Sequence, residues 1–153
     1  MTPLSIAEFS DRISQIMPLI MREFARRQLK GLYKDKVTLP QFLILEFLHK
    51  EGQTKMSFLA SFMNVTTAAM TGIADRLVRD GYVKRVYDPN DRRTVGIELT
   101  SRGSELVKKI HEERRKMIMR IFGKVSVADR RDYLRILMQI KEILTKEGEE
   151  VNR

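Results

Sequence analysis

The sequence contains no cysteine, and this absence excludes several kinds of site. No disulfide can form, and no thiolate is available as a nucleophile, a redox sensor or a zinc ligand. The two histidines, His49 and His111, lie on different predicted helices without the close spacing of metal ligands. A glycine-rich phosphate loop and a Gly-x-Ser-x-Gly element are also missing. We therefore predict that the protein is not an enzyme and binds neither a metal nor a cofactor.

Long apolar runs are missing too. No stretch reaches the roughly 18 to 20 apolar residues that a membrane span requires, which argues against a membrane partner. Residues 1–9 lack a basic region followed by an apolar one, so no secretion signal is predicted and a cytoplasmic location is expected. The chain has 29 Lys and Arg against 20 Asp and Glu, a formal charge of +9. This excess favours a polyanionic partner such as nucleic acid.

What the sequence does contain is a strong helical pattern near its start. With 153 residues, 42% of them hydrophobic, the chain can bury one core, and its length favours one compact unit. Apolar residues recur every three or four positions over residues 5–32, which predicts an amphipathic helix. We expect Pro18 to kink or break this helix, because it removes a backbone donor. Gly31 and the polar residues 34–36 are expected to end it.

Three further helices have clear boundaries in the sequence. Thr38 followed by Pro40 and Gln41 is typical of a capping box, which predicts a second helix over residues 38–50. After the central region, a long helix is predicted to begin at Thr100 or Ser101 and to end at Gly123. A last helix is predicted from Ser126, with Asp129 at its capping position, to Leu144.

The central region has the spacing of a helix-turn-helix. Residues 57–63 and 66–80 are predicted as two short helices separated by Asn64 and Val65, with Ser57 and Thr66 as their N-caps. In such a motif the second helix can enter the major groove of DNA. The second of these helices is therefore the candidate recognition helix.

A β-hairpin is predicted directly after this motif. Two β-type runs, residues 82–87 and 94–99, flank the segment Asp88–Arg93, which becomes the tip of the hairpin and carries two adjacent arginines. Residues 54–56 are predicted to form a short strand that pairs with this hairpin. Together with the two helices, the hairpin predicts a winged helix-turn-helix over residues 38–100.

This order of elements closely resembles the MarR family of transcriptional regulators, over nearly the whole chain. The resemblance implies a single MarR-like domain, residues 1–153, that is mainly helical with a small β-hairpin wing. Residues 1–36 and 101–147 would form the dimerisation region of a homodimer that binds a palindromic operator, usually as a repressor that a small effector releases. The wing motif and the Leu99-Thr100-x-x-Gly103 motif are its most specific part; the other matching segments are Gln41–Leu45, Thr66–Leu77 and Gly81–Val83.

The recognition helix offers mainly hydroxyl and methyl groups to DNA. This favours thymine-methyl contacts and DNA shape over bidentate hydrogen bonds to bases. The alternative is that these small residues only allow close helix packing. The candidates are Thr66, Thr67, Ala68, Thr71, Gly72 and Arg76.

The wing offers guanidinium groups. Arg92 and Arg93 are the strongest candidates, because a guanidinium can enter a narrow minor groove where negative potential is focused. The family resemblance implies that Asp91 and Arg93 hold the tip in shape. The alternative is a solvated tip with a weak surface salt bridge. Candidates for phosphate contacts, which position a protein without reading sequence, are Lys55, Ser57, Arg79, Lys84 and Arg85.

The resemblance also implies an effector cleft between the dimerisation helices and the winged region. Its candidate residues are Arg22, Phe24, Phe42, Phe47 and His111. A metal site of the two histidines with Glu46 or Glu113 is a weaker alternative, since some relatives sense metals. Two other functions stay open at this point: a winged-helix module that binds proteins, and a non-specific DNA-binding protein.

Overall fold

The computed structural model describes residues 4–151, which form six helices and a three-stranded sheet. This confirms the predicted mainly helical fold with a small wing. The described chain divides at Glu112 into two compact units, and the predicted domain boundaries stay predictions. The elements are α1 (Ile6–Lys34), α2 (Leu39–Glu51), β1 (Thr54–Lys55), α3 (Met56–Phe62), α4 (Thr67–Arg79), β2 (Val83–Tyr87), β3 (Val95–Leu99), α5 (Ser101–Phe122) and α6 (Val127–Val151).

Helix α1 begins with a capping box and runs further than predicted. The Ser5 backbone N–H donates to the Glu8 carboxylate at 3.0 Å, and the Glu8 N–H donates to the Ser5 hydroxyl at 3.2 Å. The helix is continuous through Pro18, so of the predicted kink or break the break does not occur, and the kink stays a prediction. One missing donor leaves the hydrogen bonds of the flanking turns in place. The helix ends at Lys34, within the region from Gly31 to residue 36 where its end was predicted, and the chain takes a left-handed conformation at Lys36 (φ 55°).

The caps of α2 are those predicted from the sequence. The Thr38 N–H donates to the Gln41 side-chain oxygen at 2.9 Å, and the Gln41 N–H donates to the Thr38 hydroxyl at 3.4 Å. Gly52 ends the helix in a conformation that favours glycine (φ 81°). These two signals act within a few residues, which is why the sequence alone predicts them.

Helices α3 and α4 form the predicted helix-turn-helix, with one change at its start. The predicted N-cap at Ser57 was wrong: α3 begins at Met56, and Lys55 occupies the capping position without a side-chain hydrogen bond. Because Lys55 also pairs with Gly96 in the sheet, it is held extended and the helix starts directly after it. Asn64, at φ 51°, supports the turn, and the chain direction changes by 110° between the two helices.

The sheet joins the wing to the helix-turn-helix. Its strand order is β1-β3-β2, and both pairings are antiparallel, with Thr54 opposite Ile97 and Arg85 also opposite Ile97. The predicted strand before α3 and its pairing with the wing are therefore confirmed, although this strand ends at Lys55. The wing thus extends from a sheet that is fixed directly to the start of α3.

The first unit has one apolar core, which lies beneath the helix-turn-helix and the sheet. Residues from α2, α3, α4, β3 and α5 pack together in it, so the recognition helix and the wing share one support. The buried apolar side chains are Leu32, Val37, Phe42, Ile44, Leu45, Leu48, Leu59, Ala60, Met70, Ala74, Leu77, Val83, Ile97, Leu106, Val107 and Ile110.

Thr100 and Gly103 fasten the wing to the start of α5. The Thr100 hydroxyl donates to the Gly81 carbonyl at 2.6 Å and accepts the Gly103 N–H at 3.1 Å, and the Thr100 N–H donates to the Tyr82 carbonyl at 3.1 Å. A β-carbon at Gly103 would lie 2.0 Å from that carbonyl oxygen. The spacing of the Leu99-Thr100-x-x-Gly103 motif therefore has a steric cause.

The second unit contains the end of α5 and all of α6. The Asp129 N–H donates to the Ser126 hydroxyl at 3.1 Å, which confirms the predicted cap, and the rings of Phe122 and Tyr133 stack with centroids 5.5 Å apart. Apolar side chains of α6 are exposed in the single chain, namely Tyr133, Leu134, Ile136, Leu137, Met138, Ile140, Ile143 and Leu144.

Helix α1, in the first unit, also exposes an apolar stripe. The exposed residues are Ile6, Phe9, Ile16, Met17, Leu19, Ile20 and Met21. Among residues 4–151, no single helix has both the length and the apolar character needed to cross a membrane.

Candidate nucleic-acid interface

One face of the N-terminal half of α4 is open to solvent. Thr67, Ala68 and Thr71 are exposed, and a β-carbon added at Gly72 would meet no atom within 4 Å. The exposure of these three residues and the open space at Gly72 argue against the alternative that the small residues serve only close helix packing. The Thr66 hydroxyl accepts the Ala69 N–H at 3.1 Å, which makes Thr66 the confirmed N-cap of the helix.

A groove lies between this face of α4 and the wing. Its volume is about 450 Å³, and it joins two predicted recognition-helix residues to one wing arginine. Three of the side chains that line it are cationic and none is acidic, so its wall attracts a phosphate backbone. The lining residues are Lys55, Met56, Ser57, Thr67, Thr71, Arg85, Arg93, Thr94 and Val95. We call this feature the basic groove.

Asp91 shapes the wing tip through the backbone. Its carboxylate accepts the Arg93 N–H at 3.0 Å and the Thr94 hydroxyl at 3.0 Å, and its carbonyl accepts the Thr94 N–H at 2.9 Å. In the described chain Asp91 forms no salt bridge with Arg92 or Arg93. The guanidinium groups of Arg92 and Arg93 are therefore not held by Asp91. The Asp91 carboxylate instead fixes the turn that presents them.

Arg85 is connected to the recognition helix by an ion pair. Its guanidinium lies 2.5 Å from the Asp75 carboxylate, and the Arg85 side chain is only 29% exposed. Asp75 follows Thr67 and Thr71 at intervals of four residues, so the three lie on one face of α4. This pair joins the recognition helix to strand β2. Asp75 was not among the predicted site residues, although its helical spacing from them was a usable signal.

The other predicted phosphate contacts lie outside the basic groove. Arg79 is 3.3 Å from Asp80, beside a separate polar cavity, and Lys84 is 2.9 Å from Glu98 across the β2–β3 pair. Arg76 is exposed in the last turn of α4. Arg92 is exposed at the wing tip and does not line the groove. Their contacts with DNA stay predictions.

Comparison with known proteins assigns the chain to a family. A sequence model described as the MarR family matches residues 37–95. YhbI of Bacillus subtilis, an uncharacterised HTH-type transcriptional regulator, is 31% identical over 113 residues, which are 74% of this chain and 71% of that protein. The chain belongs to the MarR family. Members of this family are transcriptional regulators with a DNA-binding winged helix, and this chain has the same fold.

Further proteins are similar to this chain in sequence or in fold. The HTH-type transcriptional repressor YetL of Bacillus subtilis is 36% identical over 65% of this chain and 54% of its own length. The chain spans 50% to 64% of the length of this and three other curated relatives from the same organism. A MarR family protein from Bacillus stearothermophilus superposes with a TM-score of 0.81 at 23% identity, covering 92% of this chain and 99% of that one, and therefore shows the same fold.

A solved structure with DNA also matches this fold. A mutant of S. aureus MepR bound to an oligodeoxyribonucleotide superposes with a TM-score of 0.70 at 20% identity, covering 86% of this chain and 96% of that one.

A second cavity, of about 800 Å³, lies between α2, α3 and α5. Phe47 and His111, two of the residues expected in an effector cleft of the MarR type, line it. Phe42 is instead a core residue, 1% exposed, and neither Arg22 nor Phe24 lines the cavity. The remaining lining residues, which were not predicted as part of an effector cleft, are Leu43, Glu46, His49, Lys50, Glu51, Phe62 and Met63. We call this feature the α2–α5 cavity.

No group of three or more metal-ligating side chains capable of holding an ion occurs within residues 4–151. The His111 Nε2 lies 2.9 Å from the Glu46 carboxylate, and the rings of His49 and His111 meet edge to face with centroids 5.9 Å apart. His49, His111 and Glu46 are therefore neighbours in the wall of the α2–α5 cavity. The weaker alternative of a metal site receives no support from this arrangement.

Proposed function

We propose that the protein is a homodimeric repressor that binds a palindromic operator and releases it when a small molecule binds. The observation that carries this proposal is the basic groove, which places Thr67 and Thr71 of the recognition helix beside Arg93 of the wing. Such a surface can follow a phosphate backbone while α4 contacts base edges. Because its proposed partner is DNA, we also propose a cytoplasmic location.

Base reading would come from a small number of contacts on α4. The Thr71 hydroxyl donates to the Thr67 carbonyl at 2.9 Å, so its methyl group and the oxygen's acceptor side remain for DNA. Threonine methyl groups suit contacts with thymine methyl groups in the major groove. Arg92 and Arg93 would add electrostatic attraction in the minor groove, and narrow A·T-rich flanks would strengthen it. Specificity would therefore rest on few direct contacts and on DNA shape.

Dimerisation would cover the exposed apolar stripes of α1 and of α6. A single chain leaves large side chains open on both helices, for example Ile6 at 82%, Met21 at 64% and Leu144 at 62%. Exposed stripes of this length are typical of an interface and costly in a monomer. A two-fold dimer presents two recognition helices, so the operator would have two related half-sites.

Release by an effector would require a ligand that prefers one arrangement of the dimer. The α2–α5 cavity is large enough for a drug-sized molecule and has mainly apolar walls with a few polar groups, as ligand sites do. A ligand there lowers operator affinity only by the difference between its affinities for the DNA-bound and free arrangements.

The test is selection of genomic fragments by the purified protein, read for a common palindrome, with light scattering at micromolar concentration for the oligomeric state. A defined palindrome and a dimer support the proposal. Salt-sensitive binding to all fragments without a shared motif would instead support a non-specific DNA-binding protein, and absence of DNA binding would support a protein-interaction module. A stable monomer would contradict the two-half-site mechanism.

Two threonine variants test the recognition helix directly. Thr71→Val should relax discrimination at particular base pairs by about 1 to 3 kcal/mol if a direct contact is lost. Thr145→Val is a matched control, because the Thr145 hydroxyl also donates to the carbonyl four residues earlier, at 2.8 Å, on α6. Equal operator and single-base-variant affinities for the Thr71→Val protein and the control would contradict the assignment.

A further inference from the structure

The α2–α5 cavity has aromatic and aliphatic walls. The ring of Phe47 lies 4.6 Å from that of Phe62 and 5.7 Å from that of Phe58, measured between centroids. Phe62, which lines the cavity, is 54% exposed, so this aromatic surface is open to an incoming molecule. Phe58 stacks on Phe62 outside the lining. Leu43 and Met63 extend the apolar wall. Such walls favour a flat or bulky aromatic ligand.

The charged groups of the same cavity have an excess of negative charge. With histidines counted as neutral, the lining contains two carboxylates, Glu46 and Glu51, and one ammonium group, Lys50. Lys50 is 3.3 Å from Glu51, and its side chain is 82% exposed, so this pair lies at the rim. Glu46 is the more enclosed acid, with a 33% exposed side chain that His111 contacts at 2.9 Å. Among Glu46, Lys50 and Glu51, Glu46 is therefore the least exposed charged group of the lining.

Aromatic faces and an enclosed carboxylate favour the same kind of ligand. The face of a phenyl ring carries partial negative charge and attracts a cation, and partial desolvation strengthens this attraction. The carboxylate attracts the same cation through a lower effective dielectric than that of water. An aromatic anion would instead be repelled by Glu46. The ammonium group of Lys50, at the rim, is already paired with Glu51.

We propose that the α2–α5 cavity binds hydrophobic aromatic monocations, with Glu46 as the charge-selecting residue and Phe47 and Phe62 as the aromatic wall. This inference rests on the proposed function, since it names the effector class for the cavity through which we expect operator binding to be controlled. The overall charge of +9 attracts anions. A preference for cations would therefore have to come from the cavity itself.

Two ions of nearly equal size and shape but opposite charge test the proposal. Tetraphenylphosphonium and tetraphenylborate are titrated by calorimetry into the full-length protein. The cation should bind at least about tenfold more tightly than the anion, as about 1.4 kcal/mol of charge selectivity implies. Equal affinities, tighter binding of the borate, or no binding of the phosphonium would overturn the proposal.

Variants assign the selectivity to residues. Glu46→Gln removes the charge but keeps an acceptor for His111, and it should remove most of the preference for the cation. Glu105→Gln is the matched control, because Glu105 is an exposed glutamate on α5 outside the cavity and its loss should leave the preference intact. Phe62→Leu should weaken the binding of both ions and lower the preference for the cation only in part, because it removes one aromatic face but keeps the Glu46 charge. An unchanged ratio in a folded Glu46→Gln protein would contradict the role of Glu46.

Adding each ion to the protein–operator complex separates this proposal from the proposed function. Cation-selective binding with an unchanged operator affinity supports the ligand class and refutes effector control through this cavity. Cation-selective binding with loss of operator affinity supports both the ligand class and effector control through this cavity. If Glu46→Gln fails to fold, the comparison of the two ions on the unaltered protein still decides the ligand class.

Discussion

The substitution Gly103→Ala should separate steric necessity from helix propensity in this fold. Gly103 lies in the first turn of α5, where alanine is ordinarily the better helix former by about 1 kcal/mol. The added β-carbon, however, would lie 2.0 Å from the Tyr82 carbonyl oxygen and 3.0 Å from a methyl group of Leu99. The first distance is shorter than real β-carbon contacts allow, so α5 and the base of the wing must move apart.

The cost of this movement follows from the contacts at the site. Forcing an extra methyl group into a packed position costs about 1 to 3 kcal/mol. The shift also strains two hydrogen bonds, from the Thr100 N–H to Tyr82 and from the Gly103 N–H to the Thr100 hydroxyl, each worth about 1 kcal/mol. After subtraction of the gain in helix propensity, the free energy of unfolding should fall by about 2 to 4 kcal/mol. For a chain of this length the melting temperature should fall by roughly 5 to 15 °C.

Urea and thermal unfolding at one fixed protein concentration measure this effect, because dimerisation makes stability depend on concentration. Gly72→Ala is the matched control: it is also a helical glycine, but its added β-carbon meets no atom within 4 Å. The control should gain up to about 1 kcal/mol. If Gly103→Ala were as stable as the unaltered protein, or gained as much as the control, the steric account of the Thr100-x-x-Gly103 spacing would be refuted.

Three further predictions concern the wing and its attachment to α4. Arg92→Ala combined with Arg93→Ala should weaken binding to all duplexes and make the salt slope shallower by about 1 to 2 units; titration at several salt concentrations measures this, and an unchanged slope would contradict the wing assignment. Asp91→Ala should weaken binding like the double arginine variant, because the tip loses two hydrogen bonds, whereas improved affinity would show that charge alone matters. Asp75→Asn should release Arg85 for phosphate contacts and so lower the ratio of operator to random-duplex affinity, and a constant ratio would rule out this role of the pair.

Much of the chain's architecture could be predicted because its signals are local. The caps at Thr38, Thr66 and Ser126 act on backbone groups two or three residues away, and the periodicity of apolar residues reports which helix face is buried. Local signals gave a wrong boundary where pairing with another element fixed the start of a helix. Ser57 has the chemistry of an N-cap, but the pairing of β1 with β3 places the cap at Lys55, two residues earlier.

The candidate site shows the same division between local and distant effects. The sequence alone identified the exposed small residues of α4 and the arginines of the wing, because a recognition helix and a hairpin tip have recognisable compositions. It could not show that Thr71 and Arg93 line one groove, or that Asp75 holds Arg85. These contacts join residues that are distant in sequence, and their distances depend on how the sheet and helices pack.

The sequence by itself determined the order and type of the elements, the winged helix-turn-helix and the resemblance to the MarR family, because each depends on residue chemistry over short spans. Only the tertiary structure decided which phenylalanines belong to the core and which to a cavity: Phe42 and Phe47, both on α2, point respectively into the core and into the α2–α5 cavity. It also showed why residue 103 is a glycine. The atom that excludes a side chain there is the carbonyl oxygen of Tyr82, which precedes the wing in the chain, whereas Gly103 follows it. Packing between elements sets such distances, and no local spacing encodes them.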